Sequence, residues 1–477
     1  MLLLETFVDP QRFHGGVYHA ANWMELGLTQ GYRRTREGYS AQADAPKRVF
    51  VRPLCRDARA QLTHPDRNRL QLKGVPMIML NAQQMRLLPQ CFTIIPDPRR
   101  SQGRRHRLSA VLGIAAGAIL CGMQCAYYSC AGGYKAISDW ADALGQQARE
   151  RFGCRRENGR YVVPSEYVIR DCLVRIEPGT LDRALNTWNQ AWGVQDDALA
   201  MDGKTMKNAL DDEGLQTHIM SVIGHESKCC YTQKKVGTLP VAGSDEQKRT
   251  NEIGMAIPLL ETIDIAGKDI TGDALLTQRA IATDVVERQG NYYFTVKSNQ
   301  PTLERDIALQ FATRGAPDFV EVTPPDHGRI ETRRIGCSTA LNGYLDFPYV
   351  GQVFLIERES IDKKTGEQTR DIALGITNRT PQEASPERVL AVNRGHWSIE
   401  SVHYIIDWNY DEDRSQIRTG FGPENITRLR RFAVGILKSF QKPAKSIAQM
   451  MRKLSFNTRL VFDYLRMTKN SNRAFAQ

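Results

Sequence analysis

Apolar and polar positions alternate differently along the chain, and the change falls near residue 198. Over 91–195, apolar residues recur at helical spacing, as at Ile169, Cys172 and Leu173 in PSEYVIRDCLVRI. This spacing places side chains on one face of a helix and predicts a helical domain. The stretch LSAVLGIAAGAILCGM is apolar throughout but shorter than about 20 residues, which favours a buried core helix over a membrane span.

After residue 198, short apolar runs predict strands that are separated by helices. ALAMDG, HIMSVIG and CCYTQKKV predict three strands, which would form an antiparallel meander if their connections are short. MAIPLLETI and QRAIATDVVERQG predict helices, while DITGDALL and NYYFTVKSN predict two more strands. Alternation of strands and helices is typical of an α/β fold. The first part of this α/β core is predicted over 196–314.

The remaining segments carry other patterns. FVEVTPP, RIETRRIGCSTA, GQVFLIERES and RDIALGITN predict a β-rich insertion over 315–385. Helical spacing returns over 386–440, the last part of the core, and continues into basic C-terminal helices over 441–477. Residues 1–90, with a strand predicted in KRVFVRPL, form an N-terminal extension whose role the pattern does not indicate.

The net positive charge is concentrated at the C-terminal end. The chain has 64 Lys and Arg against 53 Asp and Glu, a formal charge of +11 and a pI near 9.1. Residues 414–477 hold 14 basic and 2 acidic side chains, whereas the other 413 residues hold 50 and 51. A neutral body with a basic end points to a polyanionic partner, most simply nucleic acid. A solvated basic tail would give the same count.

Composition and motifs exclude several protein classes. Ten cysteines are scattered without CxxC pairs, and the first residues lack the basic and apolar regions of a signal peptide. We therefore expect a cytoplasmic protein with reduced thiols. P-loop, zinc-finger and GxSxG patterns are absent from the sequence.

Three acidic residues stand where the α/β pattern would place catalytic groups. Asp202 ends the first core strand, Asp273 lies near the end of DITGDALL, and Glu400 lies on a predicted helix. Carboxylates from separate elements can hold two divalent cations for phosphoryl transfer. From spacing alone, each Asp could instead be a helix cap or a turn residue, and Glu400 could form a surface ion pair. The acidic cluster Asp411–Asp413 is a rival source of the third carboxylate.

Six short segments, in order, resemble a known family. MDGKTMKNA, RTNEIGMAIPLL, DITGDALLTQ, YYFTVKSNQPTL, DHGRIETRRI and RGHWSIESVHYIIDWNYDEDRSQIRTGFGPENITRLRR resemble the H-repeat-associated transposases of bacterial insertion sequences, which belong to the DDE class. PSEYVIRDCLVRIEPGTLDRAL resembles the helical domain that accompanies this family. The resemblance covers roughly residues 92–440.

The resemblance implies a fold and an activity. The fold would be α/β, an RNase H-like core with a β-rich insertion, preceded by a helical domain and followed by basic helices. Asp202, Asp273 and Glu400 would bind two Mg²⁺ ions, for which Mn²⁺ can substitute. Water would cleave the phosphodiester at the end of the element, and the freed 3′-OH would attack target DNA. Double-stranded DNA, terminal inverted repeats and target DNA would be the partners of a homodimer at the bacterial nucleoid, with no membrane partner.

Around the third acid, the chain departs from the Tyr, Arg, Glu and Lys signature of broader relatives. Asn393, His396 and Asp407 occupy the positions of the Tyr, Arg and Lys. The RGHW-x-IE pattern of the H-repeat type is kept, so we interpret the departure as a subfamily difference. Arg394 or His396 would replace the lost phosphate contact, although His396 could equally be structural.

Several side chains near the predicted catalytic edge are candidates for DNA contact. Positive charge and amides bind the phosphate backbone, and aromatic rings stack on unpaired bases. Trp397 could stack in this way, although we expect burial under its helix. The predicted DNA-binding residues are Lys204, Lys297, Asn299, Arg394, His396, Trp397, Arg430 and Arg431.

Residues 1–90 carry a different resemblance. YHAANWMELGLTQGYRR and PKRVFVRPL resemble the end of a domain found near mobile elements and in the Druantia anti-phage system. No activity is carried over from that resemblance.

A DDE transposase is the predicted function, with two alternatives. One is a domesticated or decayed transposase that binds DNA without cutting it, and the other is a defence nuclease that cuts without joining. Metal-dependent cleavage separates a transposase from the first, and joined products separate it from the second.

Overall fold

The computed structural model describes most of the chain. The described residues are 3–53, 88–123, 133–192, 195–240, 247–442 and 445–468, without residues 22, 31, 36–37, 44–45, 212, 314 and 327. Part of the predicted N-terminal extension, 54–87, and part of the basic C-terminal segment, 469–477, lie outside them. The chain divides into two compact units, 1–81 with 473–477 and 82–472. The predicted division into six domains, at 1–90, 91–195, 196–314, 315–385, 386–440 and 441–477, remains a prediction.

The N-terminal unit contains a three-stranded antiparallel sheet. Its elements are β1 (Leu3–Val8), α1 (Gly16–Ala20), β2 (Met24–Leu28), β3 (Tyr32–Thr35), β4 (Gly38–Ala43) and β5 (Arg48–Pro53). The sheet order is β1-β5-β2, so the strand predicted in KRVFVRPL is confirmed as the central strand β5. Phe50 of this strand is buried and stacks on Tyr18, with ring centroids 5.3 Å apart.

Helices dominate the start of the larger unit, as predicted. The elements are α2 (Leu88–Cys91), α3 (Leu108–Leu120), α4 (Gly133–Asp142), α5 (Gln146–Arg151), β6 (Arg155–Glu157), β7 (Arg160–Val162), α6 (Glu166–Arg175) and α7 (Pro178–Trp192). The apolar helix α3 is buried along almost its whole length, which confirms the predicted core helix. In the described part of the chain, no helix combines the length and apolar character that crossing a bilayer requires.

The hairpin β6–β7 corrects the prediction that this segment is wholly helical. Asn158 and Gly159 form its turn with φ values of 47° and 76°. Positive φ at both turn residues is the backbone of a two-residue hairpin, and Asn-Gly is the pair that favours it. The signal was therefore present in the sequence, between two segments of helical spacing.

The α/β core is built on one nine-stranded mixed sheet. Its strands are β8 (Ala198–Leu210), β9 (Gln216–Gly224), β10 (Cys230–Lys235), β13 (Asp269–Gly272), β14 (Asn291–Val296), β15 (Phe319–Asp326), β16 (Arg329–Ser338), β17 (Gln352–Asp362) and β18 (Gln368–Thr377), with a small separate pair β11 (Thr238–Pro240) and β12 (Gln247–Arg249). The helices are α8 (Glu252–Leu260), α9 (Arg279–Glu287), α10 (Pro301–Ala312), α11 (Pro386–Gly395) and α12 (Trp397–Tyr410). Buried apolar residues of α8, α9 and α10 form one cluster with the sheet.

The strand order shows how the β-rich segment joins the α/β core. The sheet runs β10-β9-β8-β13-β14-β18-β17-β16-β15. The first three strands form the predicted antiparallel meander, and β13 and β14 run parallel to β8. The β-rich segment adds antiparallel strands to β14, so it extends the core sheet instead of forming a separate one.

The basic C-terminal segment is folded into the core. Its helices are α13 (Gly422–Ser439), α14 (Ile447–Ser455) and α15 (Thr458–Tyr464). Leu429, Phe432 and Ile436 on α13 are buried in the cluster that contains α3, and Phe432 meets Trp188 edge to face with ring centroids 5.0 Å apart. In the described residues up to 468, the basic segment is therefore not a solvated tail.

Candidate active site

Two of the predicted acids lie at the same edge of the sheet. β8 and β13 are parallel neighbours, and Met201 pairs with Gly272 at the carboxyl end of β13. Asp202 and Asp273 are the residues that follow this pair. Asp273 directly follows β13, but Asp202 lies within β8, which continues to Leu210, so the prediction that its strand ends at Asp202 is wrong. The parallel register therefore brings both acids to one level of the carboxyl edge, where ligands bind in open α/β sheets.

The third acid reaches the edge from a helix. Glu400 lies on α12, which packs across β8 and β9. Glu400, Asp273 and Lys297 line one cavity of about 590 Å³.

The charges of the three carboxylates are coupled. Burial raises the pKa of Asp273, and the nearby charges of Asp202 and Glu252 raise it further. Burial also raises the pKa of Glu400, with a further rise from Asp202 that Lys297 opposes. Because these carboxylates repel one another, a cation among them would be electrostatically favoured.

Asp202 has a histidine neighbour that sequence reasoning missed. Nδ1 of His403 lies 3.5 Å from Oδ2 of Asp202. Burial lowers the pKa of His403, and the neighbouring Asp202 opposes that shift. Burial opposes ionisation of Asp202, but the contact with His403 outweighs it and the pKa of Asp202 falls. A signal was available, because His403 follows Glu400 by three residues and so lies one helical turn away.

The three carboxylates share an edge without forming a preassembled metal site. Within the described ranges, no group of three or more Asp, Glu, His or Cys side chains is arranged to hold a metal ion. Carboxylate oxygens are the ligands that Mg²⁺ and Mn²⁺ prefer. The donor chemistry therefore suits these ions, and their binding remains a prediction.

His396 is held beneath the site by hydrogen bonds. Its Nδ1 lies 3.0 Å from the hydroxyl of Thr271, which lies 3.0 Å from Nε2 of His225. Burial lowers the pKa of both histidines, to about 3 for His225. The neutral ring of His396 thus joins the start of α12 to β13. Of the two roles expected for His396, phosphate contact and structural support, this contact favours structural support.

Gly395, the glycine of the RGHW segment, occupies a position where a larger side chain would not fit. A Cβ at Gly395 would overlap the imidazole of His225. We expect Gly395→Ala to lower the free energy of unfolding by about 1–3 kcal/mol, because overpacking would displace that ring. Urea denaturation measures the change. Gly237→Ala is the matched control, because its Cβ meets no atom within 4 Å, and it should shift stability by less than about 0.5 kcal/mol. Equal stability of Gly395→Ala and wild type would contradict the packing.

Lys297 and Asn299 follow β14 at the same edge. Lys297 is exposed and lines the cavity, which suits its predicted contact with DNA. Nδ2 of Asn299 donates to the carbonyl of Ala274 at 2.6 Å. Asn299 therefore uses its amide to support the loop that carries Asp273.

Lys204 is corrected from a DNA contact to a structural contact. It is only 9% exposed, and its Nζ donates to Oδ2 of Asp407 at 2.7 Å. Oδ1 of Asp413 lies 3.7 Å from the same nitrogen. The ammonium group therefore joins β8 to the residues at the end of α12 and does not face solvent.

Arg430 and Arg431 are also corrected, because both side chains are buried. They are 3% and 1% exposed. Nη1 of Arg430 donates to Oε1 of Glu412 at 3.1 Å, and Arg431 donates to the hydroxyl of Thr427. A guanidinium group that is enclosed in this way cannot reach a phosphate. Part of the C-terminal positive charge is thus internal.

The rival acidic cluster is used elsewhere. Glu412 is fully buried beside Arg430. Asp413 accepts from Lys207 at 2.6 Å, and Asp411 lies 3.7 Å from Arg414. These partners leave Glu400 as the better candidate for the third acid.

Trp397 differs from the expectation of burial. Its side chain is 60% exposed, and the guanidinium of Arg358 lies 5.8 Å from its ring centroid. Arg394 lines the same cavity, and its Nη1 donates to both oxygens of Glu321 at 3.0 and 3.1 Å. Stacking of Trp397 on a base remains a prediction.

The cavity wall contains basic residues that sequence reasoning missed. Arg333 and Arg358 line it from β16 and β17. Both strands belong to the β-rich segment, whose pairing with β14 brings them to the site. Outside the cavity wall, Glu252 on the first turn of α8 was also missed; its charge raises the pKa of Asp273.

Comparison with known families agrees with this arrangement. Residues 198–429 match the Transposase DDE domain, and residues 89–189 match the domain described as DDE_Tnp_1-associated. The chain therefore carries the DDE domain of a transposase and, before it, the domain associated with it. The resemblance that the six segments indicated is therefore confirmed. The Druantia-like resemblance of residues 1–90 in this DDE transposase remains a prediction.

Relatives of this DDE transposase extend over most of the chain. The "H repeat-associated putative transposase YhhI" of Escherichia coli (strain K12) is 26% identical over 387 residues, 78% of this chain and 96% of that protein. An "Uncharacterized protein in dhlA 3'region" of Xanthobacter autotrophicus is 29% identical over 303 residues, 61% and 93% of the two chains. A solved piggyBac transposase synaptic complex with hairpin DNA covers 77% of this chain and 76% of that chain, at 11% identity and a TM-score of 0.36, which is too low to carry an argument.

Proposed function

We propose that this DDE transposase cleaves DNA at the ends of an insertion sequence with divalent metal ions and transfers the freed 3′-OH into target DNA. The observation that carries the proposal is the convergence of acids at one edge. Asp202 and Asp273 follow a registered pair on parallel strands, and Glu400 lines the same cavity as Asp273. If these acids served only as helix caps or in surface ion pairs, their three distant segments would not need to meet.

The strand order supports an RNase H-like core. Its first five strands run β10-β9-β8-β13-β14, an antiparallel meander followed by two strands parallel to β8. Such a core would present carboxylates on its central strands, as Asp202 on β8 and Asp273 after β13 are arranged here.

Asp202, Asp273 and Glu400 would hold two Mg²⁺ ions, or Mn²⁺. Their hard oxygen donors fit these ions, and the raised pKa values of Asp273 and Glu400 reflect a repulsion that a cation would relieve. When bound, such ions activate the attacking oxygen and stabilise the leaving oxygen of a phosphoryl transfer.

The protein's own side chains would orient the DNA strand. Lys297, Arg358 and Arg394 line the cavity beside Glu400, and positive charge there would bind phosphates. His403 would keep Asp202 ionised and correctly oriented.

Duplex DNA outside the cavity would include the terminal inverted repeats and the target. Exposed basic residues could hold it, such as Arg452 and Lys453 on α14 and Arg105 and Arg107 before α3. Two copies of the chain, one on each end of the element, would act as a homodimer at the bacterial nucleoid.

Strand cleavage and joining test the proposal. The substrate is DNA that carries the flanking ends of the gene, incubated with Mg²⁺, with Mn²⁺ or with EDTA. We expect wild-type protein to produce 3′-OH ends and joined products only when metal is present.

Two other results would each replace the proposal. Binding without cleavage under all conditions would favour a DNA-binding remnant of a transposase. Metal-dependent cleavage without joined products would favour a defence nuclease.

A further inference from the structure

One face of α12 exposes a line of aromatic rings. Trp397, Tyr404 and Trp408 are 60%, 63% and 75% exposed. Steps of seven and four residues place them on one face of the helix, and Glu400 lies on that face between Trp397 and Tyr404. We call the three rings the aromatic stripe. Large exposed rings in a line mark a surface that binds a partner.

The two rings at the C-terminal end of the stripe have the orientation that stacked bases need. Tyr404 and Trp408 lie nearly parallel, with an interplanar angle of 11° and centroids 6.1 Å apart. Successive bases in a strand are also parallel, and any base can stack on an aromatic face. Val402 and Ile406 are buried on the opposite side of α12, so the helix presents the rings from a packed support.

Charge along the stripe favours a polyanion. Trp397 and Glu400 belong to the cavity that Lys297 and Arg358 also line, so the stripe continues directly from the candidate active site. The acids at its other end already have cationic partners. Asp407 accepts from Lys204 at 2.7 Å, and Asp413 accepts from Lys207 at 2.6 Å.

We propose that the aromatic stripe is a track for unpaired DNA, in which Tyr404 and Trp408 stack on bases of the strand that leaves the cleavage site. The inference rests on the proposed function, because it takes Glu400 as the point of cleavage. Trp408 lies eight residues from Glu400, about 12 Å along the helix. At about 3.4 Å per nucleotide of one strand, Tyr404 and Trp408 would contact bases about two to four positions from the cut bond.

Fluorescence anisotropy tests the proposal. It measures how tightly the full-length protein binds a fluorescein-labelled single-stranded oligonucleotide in the presence of EDTA. The same sequence as a duplex is measured in parallel. We expect Tyr404→Ala and Trp408→Ala each to weaken single-strand binding about 5- to 150-fold, the range for loss of one stacked base, and duplex binding much less. Trp408→Phe should restore most of the affinity, because it keeps an aromatic face.

Phe456→Ala is the matched control, because Phe456 is 91% exposed and follows α14, outside the aromatic stripe. It should leave single-strand affinity within about twofold of wild type, as expected for a residue outside the binding surface. Unchanged affinity in both alanine variants would overturn the proposal, as would equal losses on single strand and duplex. If sedimentation shows that Trp408→Ala dissociates a wild-type dimer with single-strand affinity unchanged, the stripe binds a second copy instead.

Because EDTA prevents metal-dependent cleavage, the binding result does not depend on catalysis. Wild-type protein that binds single strands through the stripe but never cleaves with metal would refute the proposed function and leave the stacking surface supported. Metal-dependent cleavage by wild type, together with unchanged single-strand binding in the stripe variants, would support the proposed function and refute the stacking surface.

Discussion

Replacing Asp273 with Asn is expected to slow strand cleavage by about 1,000-fold or more, roughly 4 kcal/mol of lost transition-state stabilisation. Asn removes the negative charge that a divalent cation needs. Its side-chain oxygen can still accept the hydrogen bond that Oδ1 of Asp273 accepts from the backbone N–H of Leu276 at 3.1 Å. The loss should therefore affect chemistry and not folding. Single-turnover cleavage with Mg²⁺ measures the rate, and thermal melting checks the fold.

Asp264→Asn is the matched control for this prediction. Oδ1 of Asp264 accepts a similar bond from the N–H of Ala266 at 3.0 Å, before the amino end of β13 and away from the catalytic edge. It should change the cleavage rate less than about twofold, as surface substitutions usually do. Asp202→Asn and Glu400→Gln should match Asp273→Asn, and combining them should add little.

Retained cleavage would identify which part of the assignment is wrong. Cleavage that survives Asp273→Asn would contradict the catalytic edge. Cleavage that survives Glu400→Gln alone would move the third carboxylate to the Asp411–Asp413 cluster.

Glu412→Gln is expected to lower the free energy of unfolding by about 3–5 kcal/mol at pH 7, because it would leave buried guanidinium groups without a counter-charge. Glu412 is fully buried, and its Oε1 accepts from Nη1 of Arg430 at 3.1 Å and from the hydroxyl of Thr427 at 2.6 Å. Urea denaturation at pH 7 measures the loss.

The same carboxylate gives a pH dependence. Burial opposes ionisation of Glu412, but the charges of Arg431 and Arg430 and the hydrogen bond from Thr427 outweigh it and lower the pKa. A lowered folded-state pKa contributes stability above the unfolded pKa of Glu, and this stability is lost as pH falls through the folded value. Wild type should therefore lose stability on acidification more steeply than Glu412→Gln.

A surface pair provides the control. Glu213 lies 2.5 Å from Arg249, with both side chains exposed, so Glu213→Gln should cost about 0–1 kcal/mol. The double variant Glu412→Gln with Arg430→Met should lose less than the sum of the single changes, because the two residues are coupled. Additive losses would show that the pair does not act as a unit.

Local sequence pattern predicted the elements that carry the site. Short apolar runs predicted β8, β13 and β14 correctly, because a buried strand needs little beyond consecutive apolar residues and turn residues at its ends. The same runs placed Asp273 correctly at the end of β13, whereas β8 continues past Asp202 to Leu210, because the residues that follow still pair with β9. The family segments then identified Glu400, which no periodicity singles out from other helical acids.

Charge was the property that sequence predicted least well. Counting Lys and Arg over 414–477 suggested a surface for DNA, yet Arg430 and Arg431 of that segment are buried. Lys204, which was predicted from its place after Asp202 to contact DNA, is paired with Asp407. A count of charges contains no information on which face of a helix packs inward. That choice depends on contacts with segments hundreds of residues away, such as α3 against α13.

By itself, the sequence determined the family, the order of strands and helices around the acids, and the element that carries each acid, because these depend on neighbouring residues. Only the tertiary structure decided which of the basic residues face the cavity, that His403 lies beside Asp202, and that Trp397 is exposed. Those outcomes depend on strand register and on the packing of α12 over the sheet. Both are set by long-range contacts, which a local pattern cannot specify.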